Sequence, residues 1–410
     1  MKAEDFHKAM RPVNEACVLA KSGWSCLSNP LVGWGEEGMI RWKIGILLRH
    51  IALVPRCLKK ASSPHILIRE FSSVPLLLVF PFLLPLRKKL FFMVHQNIQW
   101  AAQRKCENIA LSALSKMGAR WAILETQDFP GFMSRRSSRT KADGKYNIPS
   151  EKNLVLPHPV PRSPLREGCP QGGEGSPAHP VPRSPLREGC PQGGEGSPVI
   201  GVVGYYRAEK GMDELVGLLK EKLSTCRGEA KGRSRTFGIL LGVPNPDEVK
   251  HLDVETIDTS TDEAYREMIS RCDVLVQNGA ADSYFYRASG PIADAAACGT
   301  AVVAPGFPLI RHQLTSPVSI GEVFLPMKRK TGAGSACFQT LDLSESESAF
   351  GTLQKKRPAG EWQNLPDAVR AAVEKVRNGQ YDFDAYCAAR SAQALAKRLD
   401  EFSREQNGKS

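Results

Sequence analysis

The second half of the chain alternates short apolar segments with longer segments of helical periodicity, and this alternation constrains the fold more than any other feature. The predicted strands lie at 199–204, 236–242, 254–257, 273–277 and 301–304, and the predicted helices at 212–223, 262–270 and 291–298. Strands that alternate with helices at this spacing pair in parallel, and helices then cover both faces of the sheet. We therefore predict an α/β unit built on a parallel sheet.

The first half is less regular but contains the same kinds of element. Apolar runs predict strands at 65–68, 90–94 and 121–124, and helices are predicted at 13–22 and 101–117. A chain of 410 residues fits two domains of about 150–200 residues plus connectors. No apolar strand precedes the helix at residue 13, so we expect the start of this unit to be truncated or misassigned.

An internal repeat separates the two halves. The segment HPVPRSPLREGCPQGGEGSP occurs at 158–177 and again, without a change, at 179–198. Its proline, glycine and charge content cannot bury a core, which predicts a disordered linker. The predicted domains are therefore 1–157, a linker at 158–198, a second domain at 199–378, and a C-terminal helix and tail at 379–410.

Positive charge is concentrated at the beginning of the chain. Residues 1–150 hold 23 Lys and Arg against 10 Asp and Glu, whereas the whole chain has a net charge of +12. Such an excess favours anionic partners: phosphate-bearing substrates, a lipid surface or nucleic acid. No helix-turn-helix, zinc-finger or RNA-binding signature accompanies it, so nucleic acid is not expected.

The longest apolar run, at 74–86, has three prolines and is too short to span a bilayer. We predict a buried helix or loop there, and the adjacent Arg87, Lys88 and Lys89 leave a peripheral membrane contact as the alternative. The 11 cysteines show no C-x-x-C pair, which argues against a metal site and a disulfide framework. We expect a cytoplasmic protein, with peripheral contact at the inner face of the membrane as an option.

A turn in the second half has the features of a phosphate site. Ser289, Gly290 and Pro291 open a short helix whose one charged residue is Asp294. Unpaired backbone N–H groups and the positive end of the helix dipole attract a phosphate at such a turn. A carboxylate one turn further on is placed to accept hydrogen bonds from ribose hydroxyls. The order of parts predicts a site for a nucleotide diphosphate, and the alternative is a plain connection of an α/β domain.

Three further residues follow predicted strands and are candidates for catalysis. Arg207 and Lys210 come after the strand at 199–204, where two cations would stabilise a diphosphate leaving group. His95 follows the strand at 90–94 and is placed to contact a sugar hydroxyl. The alternatives are ordinary solvated charges and a structural histidine.

The segment 286–311, YRASGPIADAAACGTAVVAPGFPLIR, resembles the signature of group 1 (family 4) retaining glycosyltransferases, E-x-F-G-x-P-x-x-E-A-x-A-x-G-x-P-V-V. The matching residues are Pro291, Ala295, Ala297, Gly299, Val302 and Val303. Asp294 takes the position of the second Glu, Ser289 and Gly290 that of the small phosphate-binding pair, and Tyr286 that of the first Glu.

Three shorter segments carry the same resemblance. The residues 209–211 are similar to the end of the family element G-R-x-x-x-E-K-G, which places Lys210 on the phosphate-binding lysine. Tyr205 occupies the arginine position of that element, and Arg207 is the candidate substitute. His95 resembles the histidine of the family's V-H-D/E element, and 153–159 resembles the strand and turn that close its first domain.

The resemblance implies a GT-B fold, with two Rossmann-like domains facing a cleft. It implies a retaining hexosyltransferase that uses a nucleotide-sugar donor, needs no metal or cofactor, and acts on a sugar, polysaccharide or lipid-linked acceptor. Arg207 and Lys210 would stabilise the diphosphate, Ser289 and Gly290 would donate hydrogen bonds, Asp294 would hold the ribose and His95 the sugar. The alternatives are a non-catalytic relative that serves as a binding protein, and a GT-B sugar-nucleotide epimerase.

Overall fold

The structure is a computed structural model that describes residues 11–27, 39–94, 97–125, 153–161, 197–204, 212–224, 237–277, 287–324 and 364–407. These residues form two parallel sheets, one in each half of the chain, with helices packed on both faces of each sheet. The predicted α/β class with two parallel-sheet units is therefore confirmed. The repeat lies outside the described residues except for its two ends.

The first sheet contains β1 (Trp24–Leu27), β2 (His65–Ile68), β3 (Leu90–Val94), β4 (Arg120–Leu124) and β5 (Leu154–Leu156), paired in that order. Its helices are α1 (Arg11–Leu19), α2 (Met39–Lys59), α3 (Ser73–Leu83), α4 (Asn97–Gln103) and α5 (Lys105–Lys116), and a 3-10 turn (Leu84–Leu86) follows α3. Helices α2, α3 and α5 connect successive neighbouring strands, and their buried apolar residues share one core, so they lie on the same face of the sheet, as the right-handed rule for such crossovers requires.

Two predictions for the first unit need correction. The helix predicted at 101–117 is two helices, because Arg104 between them has extended backbone angles. The apolar run at 74–86 is the helix α3 and its 3-10 turn, which bury one side, including Phe80 and Leu83, and expose the other, including Phe82.

The second sheet contains β6 (Val199–Val203), β7 (Gly238–Val243), β8 (Glu255–Asp258), β9 (Val274–Val276), β10 (Ala301–Pro305) and β11 (Gly321–Phe324) in the order β11-β10-β9-β6-β7-β8. Its helices are α6 (Met212–Ser224), α7 (Asp262–Ser270), α8 (Gly290–Cys298), α9 (Pro308–Thr315) and α10 (Leu365–Arg377), with a 3-10 helix (Pro246–Leu252) after β7. The apolar side chains of α7 and α8 pack on one face, and those of α6 and α10 on the other.

The end of the chain returns to the first unit. After α11 (Phe383–Ala389), helix α12 (Ala392–Asn407) packs against α1 and the first sheet. Leu395, Leu399 and Phe402 of α12 share a core with Val13 and Phe91. The predicted C-terminal helix is thus an integral layer of the first unit.

Within the described residues, no helix combines the length and the apolar character needed to cross a membrane.

Candidate functional site

The turn before α8 lies at the carboxyl edge of the second sheet. Ser289 has extended backbone angles, Gly290 is the first residue of the helix, and Pro291 is the second. Proline is favoured there because the first N–H groups of a helix have no partner within the helix. The Ser289 hydroxyl donates to Oε1 of Gln277, the residue after β9, at 2.9 Å. The start of α8 is thereby tied to the end of its preceding strand.

A buried amide fixes the backbone of the same turn. The N–H of Ser289 donates to Oε1 of Gln313 at 2.8 Å, and Nε2 of Gln313 donates to the Ser289 carbonyl at 2.9 Å. Both polar backbone groups of Ser289 are therefore paired with one side chain from α9. Since this N–H is already engaged, the prediction that Ser289 donates it to a phosphate needs revision, and Gly290 is the better candidate donor.

Gly290 has no close neighbour in the part of the chain that the structure describes. There, a Cβ atom built at this position would have no heavy atom within 4 Å beyond its chain neighbours and its own helix backbone. The Ser289 side chain does not cap the helix, so it leaves the first-turn N–H groups of α8 without that partner. A helix start that its N-cap side chain leaves open, at the carboxyl edge of a parallel sheet, is a suitable place for an anion.

Asp294 lies one turn into α8 and faces α7. The hydroxyl of Tyr265 donates to Oδ2 of Asp294 at 3.4 Å. Burial raises the pKa of the Asp294 carboxyl to about 6, although the nearby Arg266 guanidinium and the Tyr265 hydroxyl act in the opposite direction. The carboxyl is thus oriented by a neighbour, and its pKa lies above the ordinary value of an aspartate.

The other predicted site residues lie outside the described residues. These are His95, Arg207 and Lys210, together with Tyr205 and Tyr286. The strands that precede His95 and the Arg207 segment, β3 and β6, are present as predicted. Within the described part of the chain, no group of three or more His, Cys, Asp or Glu side chains could hold a metal ion.

A buried ion pair joins the two units near this turn. Arg390, which follows α11, makes a bidentate contact with Glu125, which follows β4. The backbone N–H of His158 also bonds Glu125, at 2.7 Å, and Nδ1 of His312 lies 2.9 Å from its Oε2. Burial opposes the ionisation of Glu125, but Arg390, His312 and His158 lower its pKa to about 2. Glu125 is therefore a charged structural acceptor.

The ion pair and the turn share Gln313. Nη2 of Arg390 lies 3.4 Å from the Gln313 carbonyl, and the Tyr386 hydroxyl donates to the same oxygen at 2.6 Å. The side-chain amide of Gln313 holds Ser289. A continuous polar chain therefore runs from Glu125 in the first unit to the start of α8.

The sequence reasoning missed most of this network. Glu125 was detectable, because it directly follows a predicted buried strand and so lies at the carboxyl edge of its sheet. Gln313 and Arg390 carry no comparable signal. They lie within or after helices, and their partners are distant in the sequence.

No protein-family model matches the chain, and no curated protein matches it at a significant level. Among solved structures, the Anabaena protein HepE in complex with UDP and glucose is 14% identical, with a TM-score of 0.45, and the match covers 98% of this chain and 95% of that one. An α,α-trehalose-phosphate synthase (UDP-forming) from Burkholderia vietnamiensis is 12% identical, with a TM-score of 0.44, and the match covers 93% of this chain and 76% of that one. The UDP-GlcNAc 2-epimerase of Methanocaldococcus jannaschii is 9% identical (TM-score 0.48; 96% of both chains covered). Likenesses this distant assign no activity.

Proposed function

We propose that the chain is a glycosyltransferase that transfers a sugar from a nucleoside-diphosphate-sugar donor to an acceptor. The observation that carries this proposal is the accessible start of α8, where Gly290 opens the helix and Asp294 follows one turn later. This arrangement fits the diphosphate and ribose of one ligand. The resemblance of 286–311 to the family signature supports the same assignment.

The diphosphate would lie against Gly290. Its oxygens would accept hydrogen bonds from backbone N–H groups of the first turn such as that of Gly290, and the helix dipole favours their charge. Because Gly290 has no Cβ atom, the phosphate can approach the backbone closely. Arg207 and Lys210 are proposed to add the positive charge that stabilises the departing diphosphate.

The ribose would bind the carboxyl of Asp294. An ionised carboxylate accepts hydrogen bonds from both hydroxyls of a ribose diol, and Tyr265 already orients one of its oxygens. His95 is proposed to contact the transferred sugar. We propose retention of configuration, a hexosyl donor, no metal and no cofactor, because these follow from the resemblance. The basic first half favours a phosphate-bearing or lipid-linked acceptor.

Binding of UDP, TDP, GDP and ADP by isothermal titration calorimetry tests this site directly. Gly290→Ala places a methyl group in the open space above the turn without a clash, so we expect affinity to fall at least about tenfold while the fold persists. Gly217→Ala on α6 is the matched control, because its added Cβ also meets no neighbour. The proposal fails if no diphosphate binds, or if the two variants weaken binding equally.

A sugar-nucleotide epimerase is the second candidate. The observation that favours it is His312, whose half-exposed imidazole lies 2.9 Å from Glu125 at the junction of the units. The two functions give different products. With a nucleotide sugar and no acceptor, an epimerase changes the configuration of the sugar and leaves the nucleotide sugar intact. A transferase instead hydrolyses the nucleotide sugar slowly to the free sugar and the nucleoside diphosphate. Proton NMR of the sugar distinguishes these outcomes.

A further inference from the structure

The first unit exposes an apolar surface on two adjacent helices. On α2 the exposed apolar side chains are Ile44, Leu48, Ile51 and Leu58, and on α3 they are Leu78 and Phe82, which is 69% exposed. Single exposed apolar residues are normal, but a group on neighbouring helices marks an interaction site. We call these six residues the apolar face.

The spacing of these residues places them opposite the core. Ile44, Leu48 and Ile51 recur at helical intervals, while Ile46 and Leu53 of the same helix are buried. Helix α3 is apolar along its whole length, which normally indicates a helix buried on all sides. Its solvent-facing side is nevertheless open, so this side needs an apolar environment that the described chain does not supply.

Within residues 39–94, which carry the apolar face, the exposed charge has one sign. Residues 39–94 contain ten Lys and Arg but a single acidic residue, Glu70, which is buried. The exposed cations next to the apolar face are Arg56, Lys59, Lys60, Arg87 and Lys88. No exposed carboxylate from this segment offsets them.

These cations gather at one end of the helical layer. Nζ of Lys89 donates to the carbonyl of Ala61 at 2.6 Å, which ties the segment after α3 to the segment after α2. Cations near a helix C-terminus also interact favourably with the helix dipole, and this explains a few of them. The dipole does not explain the apolar face beside them or the lack of acidic residues.

We propose that the apolar face docks onto the surface of an anionic lipid bilayer. Leu58, Leu78 and Phe82 would enter the interface between headgroups and acyl chains, and the cations would bind lipid phosphates. A second copy of the chain is a poor occupant, because two such faces would bring like charges together. This inference is independent of the proposed glycosyl transfer.

Sedimentation of the full chain with lipid vesicles tests the proposal. Vesicles of phosphatidylcholine are compared with vesicles in which part of the lipid is phosphatidylglycerol. We expect at least about tenfold tighter binding to the anionic vesicles, and a loss of this preference at high salt. Equal binding to both vesicle types, or no binding to either, would overturn the proposal.

Three double variants separate the contributions. Leu78→Ser/Phe82→Ser removes apolar contacts, and Lys59→Gln/Lys60→Gln removes charge, so each is expected to weaken binding about tenfold. Val18→Ser/Leu19→Ser is the matched control, because these exposed residues of α1 lie on the opposite face of the sheet. Circular dichroism verifies that all variants are folded.

Vesicle binding by the three double variants decides whether the proposal holds. Binding lost in both test variants and kept in the control supports the bilayer. Equal loss in the control contradicts it. Gel filtration without lipid provides a second measurement, because a dimer that disappears in Leu78→Ser/Phe82→Ser would assign the apolar face to a second copy and overturn the proposal.

Discussion

The charged form of Asp294, a residue of the candidate site, lowers the stability of the fold. Its carboxyl has a pKa of about 6, above the ordinary value, because burial disfavours the charged form. A carboxyl with a raised pKa contributes stability at low pH, and this contribution is lost as the pH rises through about 6. A ribose diol would offset the loss by donating hydrogen bonds to the charged form.

We predict that Asp294→Asn stabilises the chain more at high pH than at low pH. The gain in the free energy of unfolding should be about 1 kcal/mol larger at pH 8 than at pH 5, because only the carboxylate carries the penalty of burial. Urea denaturation of the wild-type chain and the variant at both pH values measures this gain. Asp247→Asn, at an exposed position, is the control for the same change outside the candidate site. An equal gain at both pH values would contradict the burial of a charge at Asp294.

The residues of the site differ in how far the sequence predicts them. Ser289, Gly290 and Asp294 follow from local chemistry, because a small-residue turn and a carboxylate within one helix are adjacent in the chain. Gln313 and Arg390 were not predictable in this way. Their roles depend on contacts between separate helices, and neither residue type indicates its partner.

Dependence on distant contacts also limits the prediction of strands. Strands such as β6 and β9 are buried apolar runs and were predicted within one or two residues. By contrast, β1 and β11 are edge strands of four residues in which only the first and last residues are buried, so they show neither a buried apolar run nor a clear alternation. These two strands depend on the neighbouring strand for their structure, and the sequence does not show which strand that is.

At the scale of elements, Gln313 couples α9 to the start of α8. We predict that Gln313→Ala lowers the free energy of unfolding by about 2–4 kcal/mol, since it leaves the buried N–H and carbonyl of Ser289 without partners. Diphosphate affinity should also fall, because the turn at Gly290 loses its support. Gln406→Ala on α12 is the control, and thermal unfolding and calorimetry are the measurements. A variant as stable as the control would show that Ser289 does not depend on Gln313.

At the scale of the whole molecule, the two units are joined by contacts distant in sequence. Helix α12 completes the core of the first unit, and the Trp24 indole donates to Ser403 Oγ at 3.1 Å. Just before α12, Arg390 pairs with Glu125 and also donates to the carbonyl of Ser316 in the second unit at 2.7 Å. The end of the chain thus fixes one unit against the other, although the predicted domain boundary treated it as a separate tail.

We predict that the Glu125–Arg390 pair is strongly coupled. Glu125→Gln and Arg390→Met should each cost about 3–5 kcal/mol of unfolding free energy, because each leaves a buried charge without its partner. The double variant should cost clearly less than the sum of the two, since neither charge remains. Urea denaturation of the four proteins of this cycle gives the coupling energy.

The exposed pair Arg370–Asp367 is the comparison, with an expected coupling of about 0.5 kcal/mol or less. Equal coupling in the two pairs would mean that Glu125 and Arg390 do not hold the units together.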